Sequence, residues 1–235
     1  MKRLPTKSQN FLRRPSLVKT LVGHSNLKKT DTVYDIGAGS GIISSVLAER
    51  CAHVVALEHD ARLLATLRSN MAAHSNVSIV HGDALTFELP ATSYKVFANI
   101  PFHLSSPIVR RLTEADHAPA AIYLIVQKQF GQKLMMDTNS FTSLLGASIA
   151  PLYEARIRYK LQRTDFWPHP AVDTVFIELV RRGQPLLSLA DMPRYREFIE
   201  QCFSRQKYFD TLKTGRRPSE LTAEQWCQLY RTVQK

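Results

Sequence analysis

Between residues 32 and 126 the chain repeats one pattern: a short apolar run, a turn rich in Gly or polar residues, then a helical stretch. Thr32-Val33-Tyr34-Asp35-Ile36 runs into Gly37-Ala38-Gly39-Ser40-Gly41, and Ile42 to Arg50 has helical character. His53 to Leu57 is followed by Asp60, placed to cap a helix carrying Leu63, Leu64 and Leu67. Val77–Val80, Tyr94–Ala98 and Ala121–Val126 continue the series, with Ser105 to Leu112 helical between the last two. Strands separated by helices of about ten residues must be joined by crossovers, so the expected fold is α/β with a doubly wound, mainly parallel sheet.

Open α/β sheets bind ligands at the carboxyl ends of their strands. Four such ends carry polar signatures here. Gly37 and Gly39 let the backbone approach a ligand closely, a device generic to nucleotide-like cofactors. The dinucleotide pattern G-x-G-x-x-G requires Gly or Ala at position 42, where this chain has Ile42, so a nicotinamide dehydrogenase is disfavoured. Glu58 directly follows the second strand, where a carboxylate can accept two hydrogen bonds from ribose hydroxyls; its plain alternative is a helix-capping acid. Gly82-Asp83-Ala84 places an Asp where it can accept from an adenine amine, though taken alone it reads as a turn.

Asn99-Ile100-Pro101-Phe102 follows the fourth strand and decides the chemistry. An exocyclic amine conjugated into a purine ring is a poor nucleophile because its lone pair is delocalised. The Asn99 side-chain oxygen and the Ile100 carbonyl can accept its two N–H bonds and localise that lone pair. Pro101 stiffens the turn, and Phe102 can stack on a base taken out of its helix. No strong general base is needed, since the alkylated amine becomes acidic as the new bond forms.

The chain has 235 residues and a formal net charge of +11. Residues 1–30 hold Lys2, Arg3, Lys7, Arg13, Arg14, Lys19, Lys28 and Lys29 and no Asp or Glu. Such an arm fits a nucleic-acid backbone, with a solvated basic tail as the bland alternative. No apolar run approaches the roughly 20 residues of a bilayer span, and the first ten residues lack a signal-peptide core. No long amphipathic face suits a membrane. Cys51, Cys202 and Cys227 stand far apart without a CxxC pair, and the eight histidines are scattered, so no metal site is expected. The thiols read as reduced, in a cytoplasmic protein.

Taken in order, Gln9-Asn10-Phe11-Leu12, Asp35-Ile36-Gly37-Ala38-Gly39, Glu58, Gly82-Asp83 and Asn99-Ile100-Pro101-Phe102 resemble the rRNA adenine N6-methyltransferases. That superfamily holds the Erm macrolide-resistance enzymes and the small-subunit rRNA dimethyltransferases. Arg163 to Asp173 resembles their late F-x-P-x-P-x-V segment. The resemblance implies a Rossmann-like class I methyltransferase using S-adenosylmethionine, with large-subunit rRNA, naked or partly assembled, as partner. It implies that Asn10 and Leu12 close over the cofactor, that Gly37 and Gly39 meet its methionine end, Glu58 its ribose, and Asp83 with Ala84 its adenine. Asn99 and Ile100 would hold the target amine, and Phe102 and Phe166 would sandwich the target base; from the acid-free basic arm, Lys7, Arg13, Arg14 and Lys19 are expected to meet RNA. Asn99-Ile100-Pro101-Phe102-His103-Leu104-Ser105 is closer to the Erm wording, and the helical tail is short for either branch. The competing expectations are a 16S rRNA dimethyltransferase and, outside the class, an idle RNA- or DNA-binding protein on the same fold. The intact Asn99–Phe102 motif argues against idleness.

Past residue 150 the pattern changes. Tyr153 to Leu161 and Val172 to Val180 are predicted to be extended and to pair as an edge hairpin. Arg181 to Pro185 reads as a linker, and helices are predicted over Tyr195–Tyr208 and Ala223–Val233. The expected organisation is a basic arm and first helix (1–30), a catalytic domain (31–180) and a small RNA-contacting helical domain (181–235), acting as a monomer. The last segment holds eleven Lys/Arg against six Asp/Glu.

Overall fold

A computed structural model describes residues 10–136 and 141–234. Its elements follow the apolar runs. β1 (Phe11–Leu12) and α1 (Pro15–Gly23) precede β2 (Thr32–Ile36), α2 (Ile42–Arg50), β3 (His53–Glu58), α3 (Ala61–Met71) and β4 (Val77–His81). Then come β5 (Lys95–Asn99), α4 (Ser105–Glu114), β6 (Ala121–Gln127), α5 (Lys128–Leu134), α6 (Leu144–Ile149) and β7 (Tyr153–Leu161). The chain ends with β8 (Phe166–Trp167), β9 (Thr174–Arg181), α7 (Met192–Ser204), α8 (Gln206–Thr211) and α9 (Ala223–Val233).

Seven strands form one sheet in the order β4-β3-β2-β5-β6-β9-β7. β4 to β6 are parallel, with Val33 opposite both Val54 and Lys95. The order reverses between β2 and β5, which is where an open α/β sheet leaves a ligand crevice. β7 sits at the edge beside β9, as the sequence leads one to expect. A separate two-stranded ribbon pairs β1 with β8 antiparallel, Phe11 against Trp167 and Leu12 against Phe166. Strands of two residues carry no detectable period, so this ribbon is not foreseeable from the sequence.

By contacts the chain divides into two units, one holding residues up to Lys128 together with Ile157–Glu178, the other Gln129–Arg156 and Leu179–Lys235. The division by contacts runs differently from the boundary expected at residue 181. In the first unit, β6 is buried along Ala121–Val126, the continuous apolar run of a strand covered on both faces. Phe97, Tyr123 and Phe176 pack together with ring centroids 5.2–6.0 Å apart. The Tyr123 hydroxyl donates to Asn26 Oδ1 at 2.6 Å and burial pushes its pKa up to about 12.

In the second unit, Phe198, Phe203 and Phe209 surround the fully buried Trp226 at 5.8–6.1 Å. α6 lies close against its neighbours: a Cβ at Gly146 would meet the Lys133 carbonyl at 2.5 Å. Arg182, expected in a linker, donates to the Ala150 carbonyl at 2.8 Å and to Glu154 at 2.9 Å, so that segment is anchored. The helix expected over Tyr195–Tyr208 breaks at Arg205, whose φ is −125°. Ser204 bonds back to the Glu200 carbonyl at 2.6 Å, a contact that bends helix ends, and α8 then turns Phe209 onto Trp226.

Candidate active site

A cavity of about 360 Å³ lies in the first unit at the carboxyl ends of β2, β3, β4 and β5. Asn10, Phe11, Leu12, Gly37, Ala38, Gly39, Glu58, Asp83, Ala84 and Asn99 to Leu104 all line it. The volume lies in the range of small-molecule sites. The structure therefore gathers into one cavity the residues that the sequence scatters over ninety positions.

The glycine turn is built from backbone bonds. Gly37 and Ala38 both donate to the Leu57 carbonyl, at 2.8 and 3.0 Å. Gly37, Gly39 and Gly41 have φ of 76°, 60° and 91°. At Gly41 the φ decides, since a Cβ would stand 2.9 Å from Leu67 Cδ1 and from Met71 Cε, side-chain ends that can shift. Glu58 ties this turn to the next one. Its Oε2 accepts from Gly39 N–H at 2.6 Å and its Oε1 from Asp60 N–H at 2.7 Å, while the residue is 5% exposed. Each oxygen keeps a second lone pair for a ligand hydroxyl. Glu58 thus also fixes the entry to α3, where Asp60 caps the Arg62 N–H at 3.0 Å. Arg62 beside it lowers the Asp60 pKa to about 2.

Asp83 holds its own turn: Oδ1 accepts from Leu85 N–H at 2.8 Å, leaving Oδ2 available. Asn99 is set by the N-terminal segment. Its Nδ2 donates to the Asn10 carbonyl at 2.8 Å, which leaves Oδ1 as its open acceptor. Ile100 is buried, and Pro101 leads into a single turn over Phe102–Leu104, closed by Leu104 N–H on the Pro101 carbonyl at 2.9 Å. The Phe102 ring is half-buried and lines the cavity.

Phe166 departs from expectation. It is 0% exposed and does not line the cavity. Alternation along β8 turns Phe166 inward beside buried Leu12 and turns Trp167 outward. The expected RNA-contacting cations also separate. Lys7 lies outside the described residues. Arg13 is exposed, and no carboxylate partner is found for it among the described residues. Arg14 binds Asp165 at 2.5 Å and Lys19 binds Glu49 at 2.8 Å, so acids brought in by folding meet an arm that has none in sequence.

Sequence reasoning missed Phe11, whose ring covers the glycine turn 3.6 Å from where a Gly39 Cβ would stand. It also missed Asp35 and Ser44. Asp35 is fully buried, its Oδ2 accepts from the Ser44 hydroxyl at 2.6 Å, and its Oδ1 has no partner. Burial raises its pKa to about 7 despite that bond. Both misses share one cause: only tertiary contacts reveal them. Among the described residues no group of three or more His, Cys, Asp or Glu is placed to hold a metal ion.

Residues 4–216 match the family model described as ribosomal RNA adenine dimethylase. The chain belongs to that family. Its enzymes are rRNA adenine N6-methyltransferases, and the names of similar proteins divide between two rRNAs. A curated "rRNA adenine N-6-methyltransferase" of Limosilactobacillus reuteri is 29% identical over 89% of this chain and 87% of its own length. A "Ribosomal RNA small subunit methyltransferase A" of Streptococcus agalactiae is 34% identical over 78% of this chain and 67% of its own. Among solved structures, the 23S rRNA methyltransferase ErmE superposes with a TM-score of 0.82 at 28% identity, covering 96% of this chain and all of that one. A dimethyladenosine transferase from Plasmodium falciparum, at 20% identity and a TM-score of 0.80, shares the fold. The methyltransferase thus has the α/β architecture expected from its sequence. No helix of the described residues is long and apolar enough to cross a membrane.

Proposed function

We propose that the chain methylates N6 of an adenine in 23S rRNA with S-adenosylmethionine and confers macrolide-type resistance. The observation that carries this reading is the open acceptor Asn99 Oδ1, held by Asn10 inside the same cavity as Gly37, Glu58 and Asp83. The donor set fits the cofactor: two carboxylates with free lone pairs for hydroxyls and an amine, glycine backbone for a close approach, and Ile36, Leu57, Leu63 and Leu85 for an apolar ring. Bound S-adenosylmethionine supplies an electrophilic methyl group.

The chain's own residues prepare the nucleophile. Asn99 Oδ1 and the Ile100 carbonyl accept the two N6–H bonds and draw the lone pair out of the ring. Phe102 stacks on the extruded base. One N6 proton, held at Asn99 Oδ1 or at the Ile100 carbonyl, leaves to solvent once the alkylated amine has become acidic. Glu58 holds the ribose and the glycine turn together, so losing it disturbs both. The wording Asn99 to Ser105 and the likeness to ErmE support the large-subunit target. The likeness to small-subunit enzymes supports the second reading, a 16S rRNA dimethyltransferase. Both readings put the protein in the cytoplasm with rRNA.

Expression in a macrolide-susceptible bacterium tests the choice. Resistance to macrolides and lincosamides, lost with Asn99→Ala, is the expected result. Continued macrolide sensitivity together with complementation of a strain lacking its small-subunit dimethyltransferase would assign the enzyme to 16S rRNA instead.

A further inference from the structure

Trp167 is 65% exposed, among the largest exposures of any apolar side chain described. It sits directly opposite Phe11 in the β1–β8 ribbon. Directly opposed residues of an antiparallel pair project to the same face. Phe11 lines the cavity with its ring over the glycine turn, and the indole shares Phe11's face of the ribbon while standing outside the cavity lining. His169 meets the indole ring at 88° with centroids 5.9 Å apart, which holds the ring while most of it stays open. The ladder continues one bond further, from Arg13 N–H to the Asp165 carbonyl at 3.1 Å. Arg13, which makes that bond, has an exposed side chain. An exposed flat ring paired directly with a residue that lines the cavity, with an exposed guanidinium in the same short ribbon, matches the platforms on which single-stranded nucleic acid stacks.

We propose that Trp167 stacks on an unpaired base of the RNA next to the methylated adenine, with Arg13 on the adjoining phosphate. The proposal rests on the rRNA reading above and deepens it: the substrate must offer at least one further unpaired nucleotide beside its target. It also gives the aromatic contact of this segment to Trp167, since Phe166 is sealed in the core.

The chain has only two tryptophans, and Trp226 is 0% exposed. Acrylamide-quenchable emission therefore reports Trp167. An RNA hairpin with unpaired adenosines in its loop is expected to quench this emission and to shield it from acrylamide. A blunt RNA duplex and heparin, a polyanion without bases, are expected to do neither. Trp167→Ala is expected to weaken hairpin binding and raise KM for RNA about tenfold, the scale of one lost base–aromatic stack, with kcat kept within about threefold. Trp167→Phe should restore most of the loss. Emission unchanged at saturating hairpin, equal quenching by heparin, or wild-type KM in Trp167→Ala would overturn the proposal. A loss confined to kcat would also overturn it, placing the ring against the target base. Methyl incorporation by the wild-type protein separates the two readings: if it persists while these effects are absent, only the stacking role fails, and if it is absent, the rRNA reading fails too.

Discussion

Asn99 is fixed at one end of its amide and open at the other. Nδ2 is spent on the Asn10 carbonyl, so Oδ1 has a defined direction before any substrate arrives. Removing it with Asn99→Ala should lower the methylation rate by about two orders of magnitude, the scale of one positioned polar group at a reacting centre. Cofactor affinity by calorimetry should change far less. Asp83→Ala should do the reverse, weakening S-adenosylmethionine by about 1–3 kcal/mol through a stranded polar partner; unchanged affinity in a folded variant would remove Asp83 from the site. Asp35 gives a pH effect. Its pKa is raised from 3.8 to about 7, so the folded state favours the protonated carboxyl. Its contribution to stability is fully present below about pH 4 and is lost as pH rises through about 7. Urea midpoints should therefore decline less between pH 5 and 8 in Asp35→Asn than in the wild type, and parallel profiles would refute this. At this scale the sequence announced Gly37, Glu58, Asp83 and Asn99, because each follows a strand. It did not announce that Glu58 braces two turns, since its partners are backbone amides of residues 39 and 60.

The glycine turn shows what an element demands of one position. Gly41 has a φ of 91°, in the region that strains any residue with a Cβ. Gly41→Ala should cost about 1–3 kcal/mol of stability, the price of a non-glycine residue in that region, and should weaken cofactor binding with it. A thermal midpoint equal to the wild type's would show that the turn relaxes freely. The long elements were legible: β7 and α9 match their expected bounds, because period-2 and period-3.6 patterns persist over nine to eleven residues. α5, α6, β1 and β8 span two to seven residues each, too short for a period to show. These short pieces set what the sequence left unread. α6 packs within the second unit, moving that unit's membership away from a simple boundary at residue 181, and the β1–β8 ribbon decides which aromatic is buried.

Charge belongs to the whole molecule. The net charge of +11 was plain in the sequence, but which cations are free was not. Arg14 and Lys19 meet Asp165 and Glu49, whereas Arg13 and the exposed Lys213, Arg216 and Arg217 have no ion-pair partner among the described residues. Neutralising Arg13 should flatten the salt dependence of RNA binding by up to about 0.7–0.9 per lost phosphate contact, more than neutralising Lys19. Equal slopes for both variants would show that the ion pairs do not matter. The most direct measurement of the central claim is transfer of labelled methyl from S-adenosylmethionine to protein-free 23S and 16S rRNA, followed by digestion to nucleosides. The expected result is label in N6-methylated adenosine from 23S rRNA, reduced about a hundredfold or more in Asn99→Ala. Label confined to 16S rRNA, or full labelling by Asn99→Ala, would contradict it.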